Sequence, residues 1–145
     1  MHLTTFSDYA FRVLIYLAAK DVPGSLNEIS QAYGISRNHL IKTVNVLEKN
    51  GFVHTRRGVG GGITLAKAAS QIGLADVVRC TEPAFTIVEC FDKEKNKCVI
   101  TKACNLKSIL KEALDAFLGT LEEYSLADIT TNSRELIKIL DSARS

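Results

Sequence analysis

Two short helical patterns joined by a glycine constrain the fold of this chain more than any other feature. The sequence Ser25-Leu-Asn-Glu28 is a capping-box pattern that predicts a helix over 26–33. Ser36 is an N-cap residue that predicts a second helix over 37–49. Gly34 lies in the short connection, where a tight turn needs a small residue. Two short helices with a glycine-containing turn predict a helix-turn-helix.

The second predicted helix has one apolar and one polar face. Leu40, Val44 and Leu47 recur at helical spacing and form the apolar face. The opposite face and the N-terminal end carry side chains that can hydrogen-bond base edges or phosphates. These candidate DNA-binding residues are Ser36, Arg37, Asn38, His39, Lys42 and Asn45.

A glycine-rich hairpin follows directly. Strands are predicted over 52–55 and 63–65, and the intervening turn holds Arg56, Arg57, Gly58 and Gly60 as further DNA-binding candidates. Residues 36–64 contain five Lys or Arg and one Glu, a local net charge of +4, whereas the whole chain carries +2. A solvated basic face would show the same bias, but together with the helix-turn-helix it favours a surface that meets phosphate. A nucleotide-phosphate loop is disfavoured, because no Gly-Lys-Ser/Thr follows and no helix opens after the glycines.

Three cysteines form the second informative pattern. Cys90, Cys98 and Cys104 occur in and beside a polar segment, and such soft ligands suit zinc or an iron–sulfur cluster. A zinc site would be expected to add a C-x2-C pair or a nearby histidine, and neither occurs. Cys80 lies at the end of a helix predicted over 72–79, which indicates a buried structural thiol.

Helices are also predicted before the helix-turn-helix and after the cysteines. Ser7 is placed as the cap of a first helix over 8–20, and the longest apolar stripe covers 105–124. That stripe suits either the seam of a dimer or packing on the chain's own core, and its periodicity fits both.

These patterns predict a mainly α-helical chain with a small β-hairpin wing. We expect a winged helix-turn-helix domain over 1–80 and a loop over 81–104 that carries the candidate cysteine ligands of an iron–sulfur cluster. A dimerisation helix with a C-terminal helical segment is expected over 105–145. The opening residues lack the apolar run of a signal peptide, and no stretch approaches the ~20 apolar residues of a membrane span. A cytoplasmic protein without a membrane partner is expected, in which disulfides are disfavoured.

The chain resembles the NsrR, IscR and RirA family of bacterial iron–sulfur winged-helix regulators from Met1 to about Ile129. The resemblance is carried by the three cysteines before a long helix and by four segments: Leu3-Thr-Thr-Phe-Ser-Asp-Tyr9, Tyr33-Gly-Ile-Ser-Arg-Asn-His-Leu40, Arg57-Gly-Val-Gly-Gly-Gly62 and Ser125-Leu-Ala-Asp-Ile129. The segments Ser36-Arg-Asn-His-Leu40 and Ser125-Leu-Ala-Asp-Ile129 are most similar to the NsrR branch.

The resemblance implies a homodimeric repressor that binds a double-stranded DNA operator and holds an iron–sulfur cluster, 4Fe-4S in preference to 2Fe-2S, on Cys90, Cys98 and Cys104. It implies Asp8 of the other subunit as fourth ligand, and Asp8 can at the same time stabilise the start of its own helix as a carboxylate. IscR-like proteins use a histidine three residues past the last cysteine, where this chain has Lys107.

Nitric oxide is the signal that the NsrR branch implies. The seven-residue spacing between Cys90 and Cys98 is also similar to RirA, so a sensor of iron or cluster status is the alternative. A redox protein that uses the cluster for electron transfer is less favoured, because no cofactor fingerprint or acid–base constellation accompanies it, and an enzyme is not expected.

Overall fold

A computed structural model describes residues 2–143 as six α-helices and one β-hairpin. The helices in chain order are α1 (Thr5–Lys20), α2 (Leu26–Tyr33), α3 (Arg37–Lys49), α4 (Leu74–Thr81), α5 (Asn105–Glu122) and α6 (Ser133–Ser142). The hairpin between α3 and α4 consists of β1 (Val53–Arg56) and β2 (Gly62–Leu65). Short 3-10 turns lie at 69–71, 89–91 and 128–130. The predicted fold class, mainly helical with a small β-hairpin, is confirmed.

The helix-turn-helix forms as its capping residues predict. Ser25 and Glu28 make both bonds of the capping box at the start of α2. Gly34 ends α2 with a φ of +65°, a backbone conformation that glycine adopts without a Cβ clash. Ser36 then caps α3 by accepting a hydrogen bond from the backbone N–H of His39 at 3.4 Å.

The predicted cap of α1 is wrong. The helix begins at Thr5, and the hydroxyl of Thr4 accepts the capping bond from the backbone N–H of Ser7. Ser7 itself lies inside the first turn and is fully buried. Thr4 and Ser7 are both good capping residues, so local sequence could not choose between them.

The first helix forms the centre of the core. Val13 and Leu14 are inaccessible to solvent, and α1 packs against α3, α4 and α6. The largest fully buried side chains around it are Ile29, Leu40, Leu47, Ile63, Ile72 and Leu126. Fully burying such aliphatic groups stabilises a fold by roughly 1.5–3 kcal/mol each before entropy is counted. This core therefore holds α2 and α3 rigidly against α1.

The hairpin is fixed at its base. Its antiparallel register pairs Val53 with Leu65 and Arg56 with Gly62. The backbone N–H of Ile63 donates to the carbonyl of Gly24 at 2.7 Å, and the Gly24 N–H donates back to Ile63 at 2.9 Å. These two bonds join β2 to the α1–α2 connection.

The two C-terminal helices differ in their packing. None of the residues in α5 is fully buried, and Leu106 and Ile109 are 58% and 60% exposed. By contrast, α6 packs on α1 through buried Leu140 and an ion pair between Lys20 and Asp141. None of the helices over 2–143 is both long and apolar enough to cross a membrane.

Candidate DNA-binding surface and cysteine site

The candidate DNA-binding residues of α3 share one exposed surface. Ser36, Arg37, Asn38, His39, Lys42 and Asn45 are all exposed, whereas Leu40, Thr43 and Leu47 on the other face are buried. The Thr43 hydroxyl donates to the His39 carbonyl at 3.0 Å, so this buried polar group is satisfied within the helix. The helix therefore presents hydrogen-bonding side chains outward from a fixed apolar base.

The hairpin brings further positive charge beside this helix. Arg56 and Arg57 are exposed, and Gly58 and Gly60 have φ values of +93° and +75° at the tip. The N–H of Gly61 donates to the carbonyl of Gly58 at 3.0 Å and closes the turn. The predicted tight glycine turn is thus present, with both arginines at its start.

Glu48 ties the hairpin to α3, a role that the sequence did not indicate. Its carboxylate oxygen Oε1 accepts a hydrogen bond from the backbone N–H of Thr55 at 2.8 Å. Hydrogen bonding to the side chain of Thr55, followed by this backbone bond, holds the pKa of Glu48 below its usual range. Glu48, the one acidic residue within 36–64, therefore fixes the orientation of the hairpin relative to α3.

The three candidate cluster ligands lie along one connecting segment. Cys90 is half-buried in a 3-10 turn, Cys98 is exposed, and Cys104 is half-buried immediately before α5. Cys90 and Cys104 line the same open cavity of about 680 Å³, but Cys98 does not. Across residues 2–143, the side chains of His, Cys, Asp and Glu do not form a group of three that could hold a metal ion.

The segment around Cys98 is organised by its own hydrogen bonds. Asn96 Oδ1 accepts from the Cys98 N–H at 3.0 Å, and the Thr101 hydroxyl donates to the Cys98 carbonyl at 2.7 Å. Glu89 Oε1 accepts from the Lys97 N–H at 2.5 Å and joins this turn to the start of the segment. These bonds are local in sequence, so the position of the Cys98 sulfur is not fixed by the core.

The donor set fits an iron–sulfur cluster. All three thiols are free, and two already face one cavity. The same cavity is lined by Lys93, Lys107 and Lys111. Positive side chains offset the negative charge that a thiolate-ligated cluster introduces, since opposite charges attract more strongly away from bulk water.

Asp8 lies at the exposed start of α1 and contacts a basic residue of its own helix. Its carboxylate lies 2.9 Å from the guanidinium of Arg12, four residues later. The Arg12 guanidinium also lies over the ring of Tyr33 at 5.7 Å, at the end of α2. Burial raises the pKa of Tyr33 to about 12, against the opposing effect of Arg12. A chain of contacts therefore runs from Asp8 to the turn of the helix-turn-helix.

A second contact joins the same helix to α3. The ring of Tyr9 on α1 and the ring of His39 in the first turn of α3 have centroids 6.0 Å apart. The sequence indicated neither this pair nor the Arg12–Tyr33 contact, because both join residues from different helices.

The most concentrated polar network lies at the start of α1. Glu82 Oε1 accepts hydrogen bonds from the Thr4 N–H at 2.8 Å, from the Thr4 hydroxyl at 3.1 Å and from the Ser7 hydroxyl. The Ser7 and Thr81 hydroxyls share a hydrogen bond of 2.7 Å. The network thus fastens the first turn of α1 to the C-terminal end of α4, where the segment towards the cysteines begins.

Cys80 is half-buried, so the expectation of a buried thiol holds only in part. Its Sγ donates to the Val77 carbonyl at 3.2 Å, and burial raises the pKa of its thiol. Cys80 does not line the cavity that Cys90 and Cys104 share.

A helix-turn-helix on a fixed core, followed by a basic hairpin, defines a winged-helix DNA-binding regulator. The family model of Rrf2, described as an iron-dependent transcriptional regulator, matches residues 3–132, and the chain belongs to this family. The resemblance to the NsrR, IscR and RirA family is thereby confirmed, as is the expectation that the chain is not an enzyme.

Relatives and solved structures agree with this assignment. The chain is 48% identical over 143 residues to the HTH-type transcriptional regulator NsrR of Bacillus subtilis (strain 168), with 97% of each chain covered. It is similar to the structure of T. potens IscR, with a TM-score of 0.73 and 25% identity over 94% of this chain and 90% of that one. It is also similar to CymR, the global cysteine regulator of B. subtilis, with a TM-score of 0.68 and 25% identity over 91% and 98% of the two chains.

Proposed function

We propose that this protein is a homodimeric transcriptional repressor that senses nitric oxide through an iron–sulfur cluster held by Cys90, Cys98 and Cys104. The observation that carries the proposal is the cavity that Cys90 and Cys104 share with three lysine side chains. The NsrR name of the B. subtilis relative, which covers nearly the whole chain, supports nitric oxide as the signal.

The cysteines would hold the cluster, and Asp8 of the partner subunit would complete its ligand set. When bound, the cluster would supply iron that reacts with nitric oxide. Cys90 and Cys104 would be close to their working positions, whereas Cys98 would have to approach them. The purely local hydrogen bonds around Cys98 permit such a movement without loss of core packing.

Asp8 would connect this site to the DNA-binding surface. In the structure its carboxylate neutralises Arg12, and Arg12 in turn lies over Tyr33 beside the helix-turn-helix turn. A change in the partner of the Asp8 carboxylate alters the charge that Arg12 experiences. We infer that this change reaches α2 through the Tyr33 ring and α3 through the Tyr9–His39 contact.

The dimer would be formed through α5. Its exposed Leu106 and Ile109 leave an apolar surface that its own chain does not cover. A dimer also presents two copies of α3, as binding to a two-fold symmetric operator requires.

The proposal is tested by anaerobic purification followed by absorbance and by iron and sulfide counts. Serine at Cys90, Cys98 or Cys104 should remove or badly destabilise the chromophore, because an alcohol is a poor ligand for iron–sulfur clusters. Cys80→Ser is the matched control and should keep it. A colourless Cys80→Ser protein would mean that the ligand set is wrong.

The signal is tested by following operator binding during separate titrations with nitric oxide and with an iron chelator. We expect nitric oxide to release DNA at low molar excess over the cluster. Release by the chelator alone would favour the iron-status sensor, which the iron-dependent description of the family makes the second candidate.

Asp8→Ala tests the coupling. It should still assemble a cluster on the three cysteines, but with an altered spectrum and a changed response to nitric oxide. A role at the helix N-terminus alone contributes only ~0.3–1 kcal/mol and would leave the spectrum untouched. An unchanged spectrum and response would therefore remove Asp8 from the ligand set.

A further inference from the structure

The apex of the hairpin presents a single side chain. Within residues 58–61 only Val59 has a side chain, and with a relative exposure of 110% it is fully open to solvent. Lone exposed apolar residues are ordinary on protein surfaces. Val59 differs because a tight turn usually carries polar residues such as Asn or Asp, and because two exposed arginines immediately precede this turn.

The apex is also narrow and conformationally fixed. Gly58 and Gly60 adopt positive φ values on either side of Val59, and the Gly61 N–H closes the turn on Gly58. A Cβ at Gly61 would lie 2.4 Å from the Arg56 carbonyl oxygen, so no side chain fits there. The glycines therefore hold Val59 outward on a tip that has no other side chains.

The position of this tip relative to α3 indicates which part of the DNA it meets. The Phe52 N–H donates to the Leu47 carbonyl at 2.9 Å, and the Glu48 carboxylate holds the Thr55 N–H, so β1 continues directly from the end of α3. If α3 lies in the major groove, we expect the adjoining hairpin to face the neighbouring minor groove. That groove is ≈6 Å wide, which suits a tip without flanking side chains.

An apolar side chain that reaches the floor of the minor groove would discriminate between base pairs. The minor-groove floor of a G·C pair carries the guanine N2 amino donor, whereas an A·T pair has acceptors only. Valine cannot accept a hydrogen bond, so covering the N2 amino group leaves that donor without a partner.

We propose that Val59 is a specificity-determining residue of the wing, which selects A·T pairs by apolar contact in the minor groove. This inference rests on the proposed DNA-binding role of α3 and the hairpin. It adds a reading of base pairs at positions that α3 does not contact.

The test uses the full-length, cluster-loaded protein and a duplex that the wild-type protein selects from random sequence. The A·T pairs under the wing are replaced by G·C or by inosine·C, which has the major-groove face of G·C but lacks the N2 amino group. Dissociation constants are compared at one salt concentration, because phosphate contacts make them salt-dependent. For the wild type, G·C should weaken binding roughly tenfold and inosine·C should restore it.

Variants then assign the effect to the side chain. Val59→Ala should reduce the preference for A·T over G·C to less than about twofold, and Val59→Asn should reduce it further because an amide oxygen can accept from N2. Ile139→Ala, which removes an exposed aliphatic group on α6, should keep the wild-type preference. Val59 is fully exposed, so its variants should fold as the wild type does.

Two results would overturn the inference while the proposed function stands. In the first, inosine·C binds the wild-type protein as weakly as G·C does. In the second, Val59→Ala keeps the full preference for A·T over G·C. In both cases Asn38→Ala would still weaken operator binding, so the proposed DNA-binding role would stand. If the wild-type protein selects no duplex over random DNA, the proposed function fails, and this inference fails with it.

Discussion

Replacing Glu82 should change the free energy of unfolding by an amount that its hydrogen bonds predict. Glu82→Ala removes the acceptor of three hydrogen bonds, from the Thr4 N–H, the Thr4 hydroxyl and the Ser7 hydroxyl. A hydrogen bond to a charged group is worth about 1.5–3 kcal/mol. The full sum will not appear, because the Ser7 hydroxyl keeps Thr81 as a partner and Thr4, which is only partly buried, can reach water. We expect a loss of about 2 kcal/mol in the free energy of unfolding.

The assay is urea unfolding of the cluster-free protein at one protein concentration, since the stability of a dimer depends on concentration. The same loss should lower Tm by about 4–8 °C. Glu82→Gln keeps an acceptor oxygen but loses the charge, so about half of the effect is expected. Glu123→Ala, which removes an exposed carboxylate at the end of α5, is the matched control and should stay within about 0.5 kcal/mol of the wild type.

A Glu82→Ala protein as stable as Glu123→Ala would refute the idea that this carboxylate fastens α1 to α4. If the tether is real, its loss should also matter for sensing. Asp8 lies one helical turn after Thr4, so a loosened first turn should make the loaded cluster more labile as measured by its absorbance.

Three further predictions concern the DNA-binding surface and the dimer. Asn38→Ala should weaken binding to the operator by on the order of 1–3 kcal/mol and binding to random DNA only slightly. Arg57→Ala should weaken binding to both DNAs about equally and lower the salt slope of binding by roughly one. Equal losses on both DNAs for Asn38→Ala would exclude base reading by this residue. Because the folded pKa of Glu48 lies below its usual 4.5, hydrogen-exchange protection of the Thr55 amide should be greatest above pH 4.5 and should weaken as pH falls through the lower folded pKa. In Glu48→Gln the protection should not change with pH in this range. Ile109→Asp should give monomers in sedimentation and lose operator binding, because it places an unpaired charge in the seam proposed for Leu106 and Ile109, and a monomeric wild type would contradict this dimer.

The local elements of this protein could be predicted from its amino-acid sequence. The capping box at Ser25, the cap at Ser36 and the glycine after α2 depend on residues within four positions of one another, so they could be read from the chain directly. The glycine-rich hairpin turn is equally local, and the strands that flank it lie within a residue or two of their predicted bounds. The same local view misplaced the cap of α1, where Thr4 and Ser7 were both suitable and burial decided between them.

The contacts between residues distant in sequence depend on how the helices pack. Glu82 reaches Thr4 across 78 positions, Arg12 reaches Tyr33 between two helices, and α6 returns to pack on α1. No periodicity in the sequence encodes such pairs, because they arise from the way the helices bury their apolar faces around α1. The cysteines fall between these cases. Their spacing predicted a common site, but the shared cavity of Cys90 and Cys104, its lysine lining and the separate position of Cys98 depend on how α5 packs against α4.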